Sequence, residues 1–277
     1  MKCRYCGHDK LWKRANPKGA QTKAKFQCQK CFKYQRLEPR HTRTAKILLL
    51  DIETLYMEVR GIWNLKTEYI QSGLVTKDWS ILCWSAKWLF EPNIMGEVVK
   101  PTEAVAREEG SILGTIWKLL DEADIVVTQN GREFDIKRLN TKFIKYGYPP
   151  PSYYAVVDTL MVARAKFAFT SNGLDELGKF LLGIGGKTKM TIDDWHTCAE
   201  GNKAGLAKML EYCKRDVAPL LEDLYLKLLP WIPNHPNLGL YTEHDKDVCP
   251  RCESADISWS EQYATRSEEH TSELQSH

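Results

Sequence analysis

The stretch KILLLDIETL, Lys46–Leu55, decides the fold. Its apolar run reads as a strand meant for the interior, yet Asp51 and Glu53 sit inside it. Burying a carboxylate without a partner is costly. In a strand, residues i and i+2 face the same way, so Asp51 and Glu53 converge on one face while Ile52 points to the other. Two carboxylates forced together repel unless protonated or bridged by a cation. A hard divalent ion such as Mg²⁺ answers that problem, so the strand is read as carrying a metal site.

Outward from this strand, SILCWSAKWL (Ser80–Leu89) is a second strand and GEVVK a short third. TEAVAREEGSILGTIWKLLDEA (Thr102–Ala123) has helical periodicity, with Thr102 placed to cap it. DIVVTQN is a buried strand, and FDIKRLNTKFIKYG a helix ended by Gly147. AVVDTL is another strand, SNGLDELGKFLLGI a helix, and Ala204–Leu229 one or two long helices. Strands first, then strands alternating with helices, indicate an α/β domain with a mixed sheet flanked by helices. We place it at residues 46–235.

Two further sites extend the carboxylate set. VVTQNGREFD puts Asp135 just past a buried strand, on the first turn of a helix, and strand ends in α/β sheets are where sites form. EYCKRDV puts Tyr212 and Asp216 at i and i+4 on one helix face. Each has a structural explanation of its own: Asn130-Gly131 as a turn, Asp135 as a helix-start acid, Asp216 as surface, Tyr212 as core. Together, in this order and on these elements, they favour function.

That order carries a resemblance. DIET, then NGREFD, then Y-x-x-x-D resembles the three exonuclease motifs of the DEDD superfamily, with its RNase H-like fold. Tyr212 places it in the DEDDy branch; the histidine branch would need His where Glu211 stands. WSILCWSAKW, LLDEADIVVTQNGREFDIKRLN, GYPPPSYYAVVDTL and LYLKLLPWIPNHPN are similar to a phage- and bacteria-associated group of such exonucleases. The resemblance implies Asp51, Glu53, Asp135 and Asp216 as ligands of two Mg²⁺ or Mn²⁺ ions ~4 Å apart, one activating water and the other stabilising the leaving 3′ oxygen. It implies that Tyr212 orients the attacking water; with an ordinary pKa of about 10 it is a poor base at neutral pH. Thr54 and Leu55 follow the acids where the family contacts the terminal nucleotide, Leu55 as a wedge against the last base, and Asn130 is a further substrate contact. Asp158 matches a recurrent family position, but a helix N-cap explains it better. The activity implied is 3′–5′ hydrolysis of nucleic acid, DNA favoured, to nucleoside monophosphates, at a single-stranded 3′ end, with replication or repair proteins as partners. The alternatives are an RNA-trimming exoribonuclease on the same acids, a structure-selective endonuclease, and an inert fold carried by nucleic-acid-binding zinc ribbons.

The net charge of +3 conceals an asymmetry. Residues 1–46 hold 14 Lys+Arg against 2 acids, a balance of +12, and the rest of the chain is at −9. A basic leader on an acidic body suggests a polyanion partner. Six of the nine cysteines form C-x-x-C pairs. Cys3-x-x-Cys6 and Cys28-x-x-Cys31, with 21 residues between them, are spaced slightly beyond the usual four-cysteine zinc site. Two such knuckles close a tetrahedron around a structural Zn²⁺, which supplies folding energy that so short a segment lacks. Residues 1–36 are therefore read as a zinc ribbon and 37–45 as a linker. Its lysines and aromatics fit phosphate contact and base stacking, or the ribbon's own small core. Cys249-x-x-Cys252 is half of a second ribbon over 236–265. RSEEHTSELQSH, residues 266–277, looks like a translated sequencing-library adapter, so the expectation is a chain cut off near Thr265. Cys83, Cys198 and Cys213 are expected to be buried free thiols.

No apolar run approaches the roughly 18 residues of a membrane helix. The start has no secretory pattern, so the chain is read as cytoplasmic, with phage encoding in keeping with the resemblance. GIGGKTK (Gly183–Lys189) lacks the first glycine of a P-loop and follows a helix, so triphosphate binding there is rejected, leaving Lys187 and Lys189 as phosphate contacts at most. Asp193, Asp194 and His196 are read as a solvated loop, and Trp84 and Trp88 as core.

Overall fold

The computed structural model describes residues 11–14, 25–30, 34–36, 45–62, 69–184, 190–232, 234–238, 241 and 249. Near the N-terminus, β1 (Leu11–Arg14), β2 (Lys25–Cys28) and β3 (Tyr34–Arg36) form an antiparallel sheet in that order. Cys3, Cys6 and Cys31, the side chain of Cys28, and Cys252 fall outside the described residues. So do Lys187, Lys189 and the tail 266–277. Cys249 is half-buried.

The main sheet has five strands in the order β10-β9-β4-β7-β8. Here β4 is Ile47–Leu55, β7 Ser80–Trp88, β8 Ile94–Val98, β9 Ile125–Thr128 and β10 Ala155–Asp158. Between β4 and β7 lies a small ribbon of β5 (Glu58–Val59) and β6 (Val75–Lys77). β4, β7 and β8 run antiparallel, while β9 and β10 lie parallel to β4. This is the mixed α/β sheet that the strand order predicts, with β4 at its centre.

The apolar run of β4 is buried on both sides. Leu48, Leu50 and Ile52 join one core with Leu113, Ile116, Leu139 and Phe143. Ile47 and Leu49 join a second core with Val127, Val217, Leu221 and Tyr225. A strand covered on both faces reads as a continuous hydrophobic run rather than an alternating one. Each fully buried leucine contributes about 1.5–3 kcal/mol, and Leu48, Leu49 and Leu50 anchor the strand that must carry the acids. The β4–β7 register shifts between Glu53 and Thr54, and Leu55 packs with the Leu48 group. That irregularity re-aims the strand just beyond the carboxylates.

The helices are α1 (Pro101–Ala106), α2 (Gly110–Glu122), α3 (Asp135–Lys145), α4 (Thr159–Lys166), α5 (Leu174–Leu182), α6 (Ile192–Ala199), α7 (Lys203–Arg215) and α8 (Glu222–Leu228). Two expectations are corrected here. The helical stretch 102–123 is broken: Lys100, not Thr102, occupies the N-cap, and Arg107 ends α1 in the left-handed region at φ 59. The break is held by what its side chains do. Arg107 donates to the Tyr56 carbonyl and pairs with Glu58, and the buried Glu109 accepts from the Ile81 amide and pairs with Lys142 at 3.1 Å. The second correction concerns Asp193, Asp194 and His196, which lie on α6 rather than in a loop. Thr191 and Asp194 form a reciprocal capping box there, and Asp194 also pairs with Lys208.

Other expectations hold. Asp158 caps α4, Gly147 is left-handed after α3 at φ 77, and Trp84 is buried with its indole N–H on the Ile112 carbonyl. Cys83, Cys198 and Cys213 are buried free thiols. The segment 204–229 forms two helices, α7 and α8. Between them Ala218 is extended, and Pro219 has no amide hydrogen to offer a continuous helix.

Candidate metal and nucleic-acid site

β4 pairs with β9 only over Ile47–Leu49, so Asp51 and Glu53 lie on the part of β4 that outruns its parallel neighbour. α3 begins at that point. Its first residue, Asp135, is buried, and its Oδ1 accepts the Ile52 amide at 2.9 Å. A side chain thus takes the place of a strand-to-strand hydrogen bond.

From the other direction, α7 starts on Asn202, whose side chain caps the Ala204 and Gly205 amides, and ends by delivering Asp216 to the same place. Asp51, Glu53 and Asp216 each offer an oxygen within 4.8 Å of the others.

The electrostatics follow from this crowding. Burial, then the charges of Asp135, Glu53 and Asp216, hold Asp51 well above its ordinary 3.8. Burial pushes Asp135 up to about 7, against the pull of the Ile52 amide and of its own backbone amide. Tyr212, one turn before Asp216, is half-buried, and burial together with the charges of Asp216, Glu53 and Asp51 raises its hydroxyl pKa further above 10. It is a proton donor throughout the neutral range.

The donor set fits a divalent cation. The oxygens are hard and anionic, they converge, and their mutual repulsion is relieved by positive charge. Asp51, Glu53 and Asp216 form the converging group, and Asp135 adds its charge beside Asp51.

Beyond Glu53, β4 runs into a pocket of about 410 Å³ lined by Thr54, Leu55, Tyr56, Met57, Trp79, Arg138, Ile192 and Trp195. Thr54 and Leu55, singled out from the sequence, are therefore at its wall. Asn130 is not among these lining residues; it is exposed on the β9–α3 turn in the left-handed region at φ 67, its amide donated to Asp158.

Sequence reasoning missed the rest of the pocket. Arg138 lies over both Trp79 and Phe134, at 4.6 and 4.2 Å from their ring centres. Its position one turn after Asp135 was the available signal. Trp195, on α6, donates its indole N–H to the Thr54 carbonyl at 3.1 Å.

The five-stranded mixed sheet flanked by helices is an RNase H-like fold. A model of the RNase_H superfamily matches residues 93–228, a span that holds Asp135, Tyr212 and Asp216 but not the β4 acids. Among solved structures, the chain is similar to the family B DNA polymerase from the hyperthermophilic archaeon Pyrobaculum calidifontis, at TM-score 0.49 and 15% identity. That alignment covers 68% of this chain and 25% of the polymerase chain. No curated protein matches the sequence. Among the described residues no helix is long and apolar enough to cross a membrane.

Proposed function

We propose that the protein is a metal-dependent 3′–5′ exonuclease of the DEDDy type that hydrolyses nucleic acid, DNA in preference to RNA, to nucleoside monophosphates. The observation that carries this reading is the convergence of Asp51, Glu53 and Asp216 within 4.8 Å, with the Asp135 carboxyl close enough to raise the pKa of Asp51. These four residues would hold two Mg²⁺ or Mn²⁺ ions, which when bound supply an activated water and charge stabilisation for the departing 3′ oxygen. The chain's own groups do the remainder. Tyr212 keeps its proton, so its role is to orient the attacking water by hydrogen bonding and not to accept its proton. The pocket past Thr54 takes the 3′-terminal nucleoside, with Trp195 offering a ring for stacking an unpaired base. Arg138, held against Trp79, contributes the cation of that wall.

The domain at 46–235 is the catalytic unit in this reading. The basic segment 1–36, a ribbon on Zn²⁺ held by Cys3, Cys6, Cys28 and Cys31, and the half ribbon with Cys249 and Cys252 keep the strand or a partner protein close.

The test uses 5′-labelled single strands of DNA and of RNA, with Mg²⁺ and then Mn²⁺, beside Asp216→Asn. A ladder shortening from the 3′ end, lost in the variant, is expected, with DNA cleaved faster. Internal fragments would instead indicate an endonuclease. Faster RNA cleavage would reverse the substrate preference, and binding without cleavage would leave a nucleic-acid-binding module.

A further inference from the structure

A buried thiol stands directly behind the acids, and the reaction proposed above does not use it. Cys213 lies on α7 between Tyr212 and Asp216 and is fully buried. Its Sγ is 3.3 Å from Asp51 Oδ2, 3.5 Å from the Asp51 carbonyl oxygen and 3.3 Å from Ser85 Oγ. Ser85 sits opposite Asp51 in the β4–β7 register and is itself buried. Its hydroxyl donates to the Cys213 carbonyl at 2.8 Å.

The Ser85 hydrogen is committed to the Cys213 carbonyl, so the serine cannot donate to sulfur. The thiol hydrogen has Asp51 Oδ2, the Asp51 carbonyl oxygen and Ser85 Oγ within reach, and the carboxylate oxygen, anionic once a cation is bound, is the strongest acceptor of them. A thiol is a hydrogen-bond donor, and an ordinary cysteine keeps its proton at neutral pH. A carboxylate held on one oxygen has a fixed rotamer, and its remaining lone pairs face a fixed direction. Groups that orient a metal ligand in this way tune affinity by about 10–100-fold.

We propose that Cys213 is a positioning residue for Asp51: its S–H, on a backbone held by Ser85 across the β7–α7 interface, fixes the edge that the Asp51 carboxylate presents to a divalent cation. This rests on reading the four acids as a divalent-cation site. It assigns no chemistry to sulfur, which touches neither substrate nor reacting atoms.

The test measures Mn²⁺ binding to the full chain directly, by calorimetry and by the loss of the free-ion paramagnetic resonance signal, without substrate. The variants are Cys213→Ala, which removes the donor, Cys213→Ser, which keeps one, and Cys198→Ala. Cys198 is an equally buried thiol on α6 that makes no hydrogen bond to the acids among the described residues. Cys213→Ala is expected to weaken Mn²⁺ binding about 10-fold. Cys213→Ser is expected to stay within about threefold of the wild type. Cys198→Ala is expected to lower the melting temperature without changing Mn²⁺ affinity. If Cys213→Ala does not fold, Cys213→Val fills the volume without a donor and must show the same weakening.

Equal affinity in wild type and a folded Ala or Val variant would overturn the proposal while leaving the metal site in place. An equal loss in the serine variant would overturn it too, since packing alone would then be the cause. A wild type that binds no Mn²⁺ would overturn the metal site itself, and the positioning role with it.

Discussion

Replacing Asp135 by asparagine should make the metal-free protein more stable, not less. The side chain is buried, and its Oδ1 accepts the Ile52 amide. Asparagine keeps an acceptor oxygen there and removes only the charge. In the native protein burial raises this carboxyl from 3.8 to about 7. A group whose folded pKa is raised contributes stability below the unfolded value and loses it as pH rises through the folded value. The wild type therefore loses stability from pH 3.8 up to about 7, at about 1.4 kcal/mol per pH unit, and the total loss is roughly 4 kcal/mol. The asparagine variant escapes that loss. In EDTA at pH 8 its advantage should be on the order of 4 kcal/mol, or about 8–16 °C in melting temperature for a domain of this size. Near pH 5 the advantage should fall to roughly 2 kcal/mol, and below 3.8 it should vanish. Saturating Mg²⁺ should reverse the ranking in part, because cations bind the folded wild type more tightly and stabilise it by mass action. Thermal melts in EDTA and in Mg²⁺ across pH 4–8 read all of this. A variant no more stable than wild type at pH 8 in EDTA, or an advantage that grows as pH falls, would refute the reasoning.

Asp158→Ala should cost about 2–4 kcal/mol in urea unfolding, at roughly 1 kcal/mol for each hydrogen bond lost. Its carboxylate accepts four backbone amides, those of Asn130, Arg132, Leu160 and Met161, and a loss below 1 kcal/mol would show that water replaces them. Glu109→Ala should cost about 3–5 kcal/mol, because Lys142 is then buried without its counter-charge and the Ile81 amide loses its acceptor. The double variant Glu109→Ala with Lys142→Met should recover at least half of that loss in the same melts.

The strand and its acids were legible because they depend on local geometry. Alternation along KILLLDIETL places Asp51 and Glu53 together whatever surrounds them, and the i, i+4 spacing does the same for Tyr212 and Asp216. The strand–turn–helix sequence around VVTQNGREFD places Asp135 at a strand end. Features that depend on partners distant in sequence were not legible. The break between α1 and α2 exists because Arg107 and Glu109 are claimed by Tyr56, Glu58, Ile81 and Lys142, and no helical period reports such claims. The DDWHTC segment looked polar enough for a loop, yet Thr191 starts a helix there and Trp195 packs into the site through the Thr54 carbonyl. The pocket wall of Trp79, Arg138 and Trp195 comes from the connection before β7, from α3 and from α6, segments far apart in sequence, which explains why composition gave no warning of it.

The site also explains why a stable sheet tolerates so concentrated a negative charge. The acids begin where β4 loses its parallel neighbour, so the strand would there present an amide without a strand partner. Asp135 takes the Ile52 amide and, by doing so, brings a fourth carboxylate within reach of Asp51. The hydrogen bond the backbone needs is thus made by a group whose charge raises the electrostatic cost at Asp51. The leucines of β4, fully buried on both faces just upstream, offset that cost for the fold as a whole. They cannot remove it locally, because apolar contacts do not screen charge. Positive charge can, and a divalent cation would stabilise the folded state by an amount that grows with its concentration over its dissociation constant. Here four carboxylates crowd one spot against the local rules of burial, which is the pattern expected where function and not stability has set the residues. Metal occupancy and fold stability are therefore coupled through the same carboxylates. The pH dependence of stability without metal and the affinity for metal at neutral pH should change together in any variant that alters the charge at Asp51, Glu53, Asp135 or Asp216.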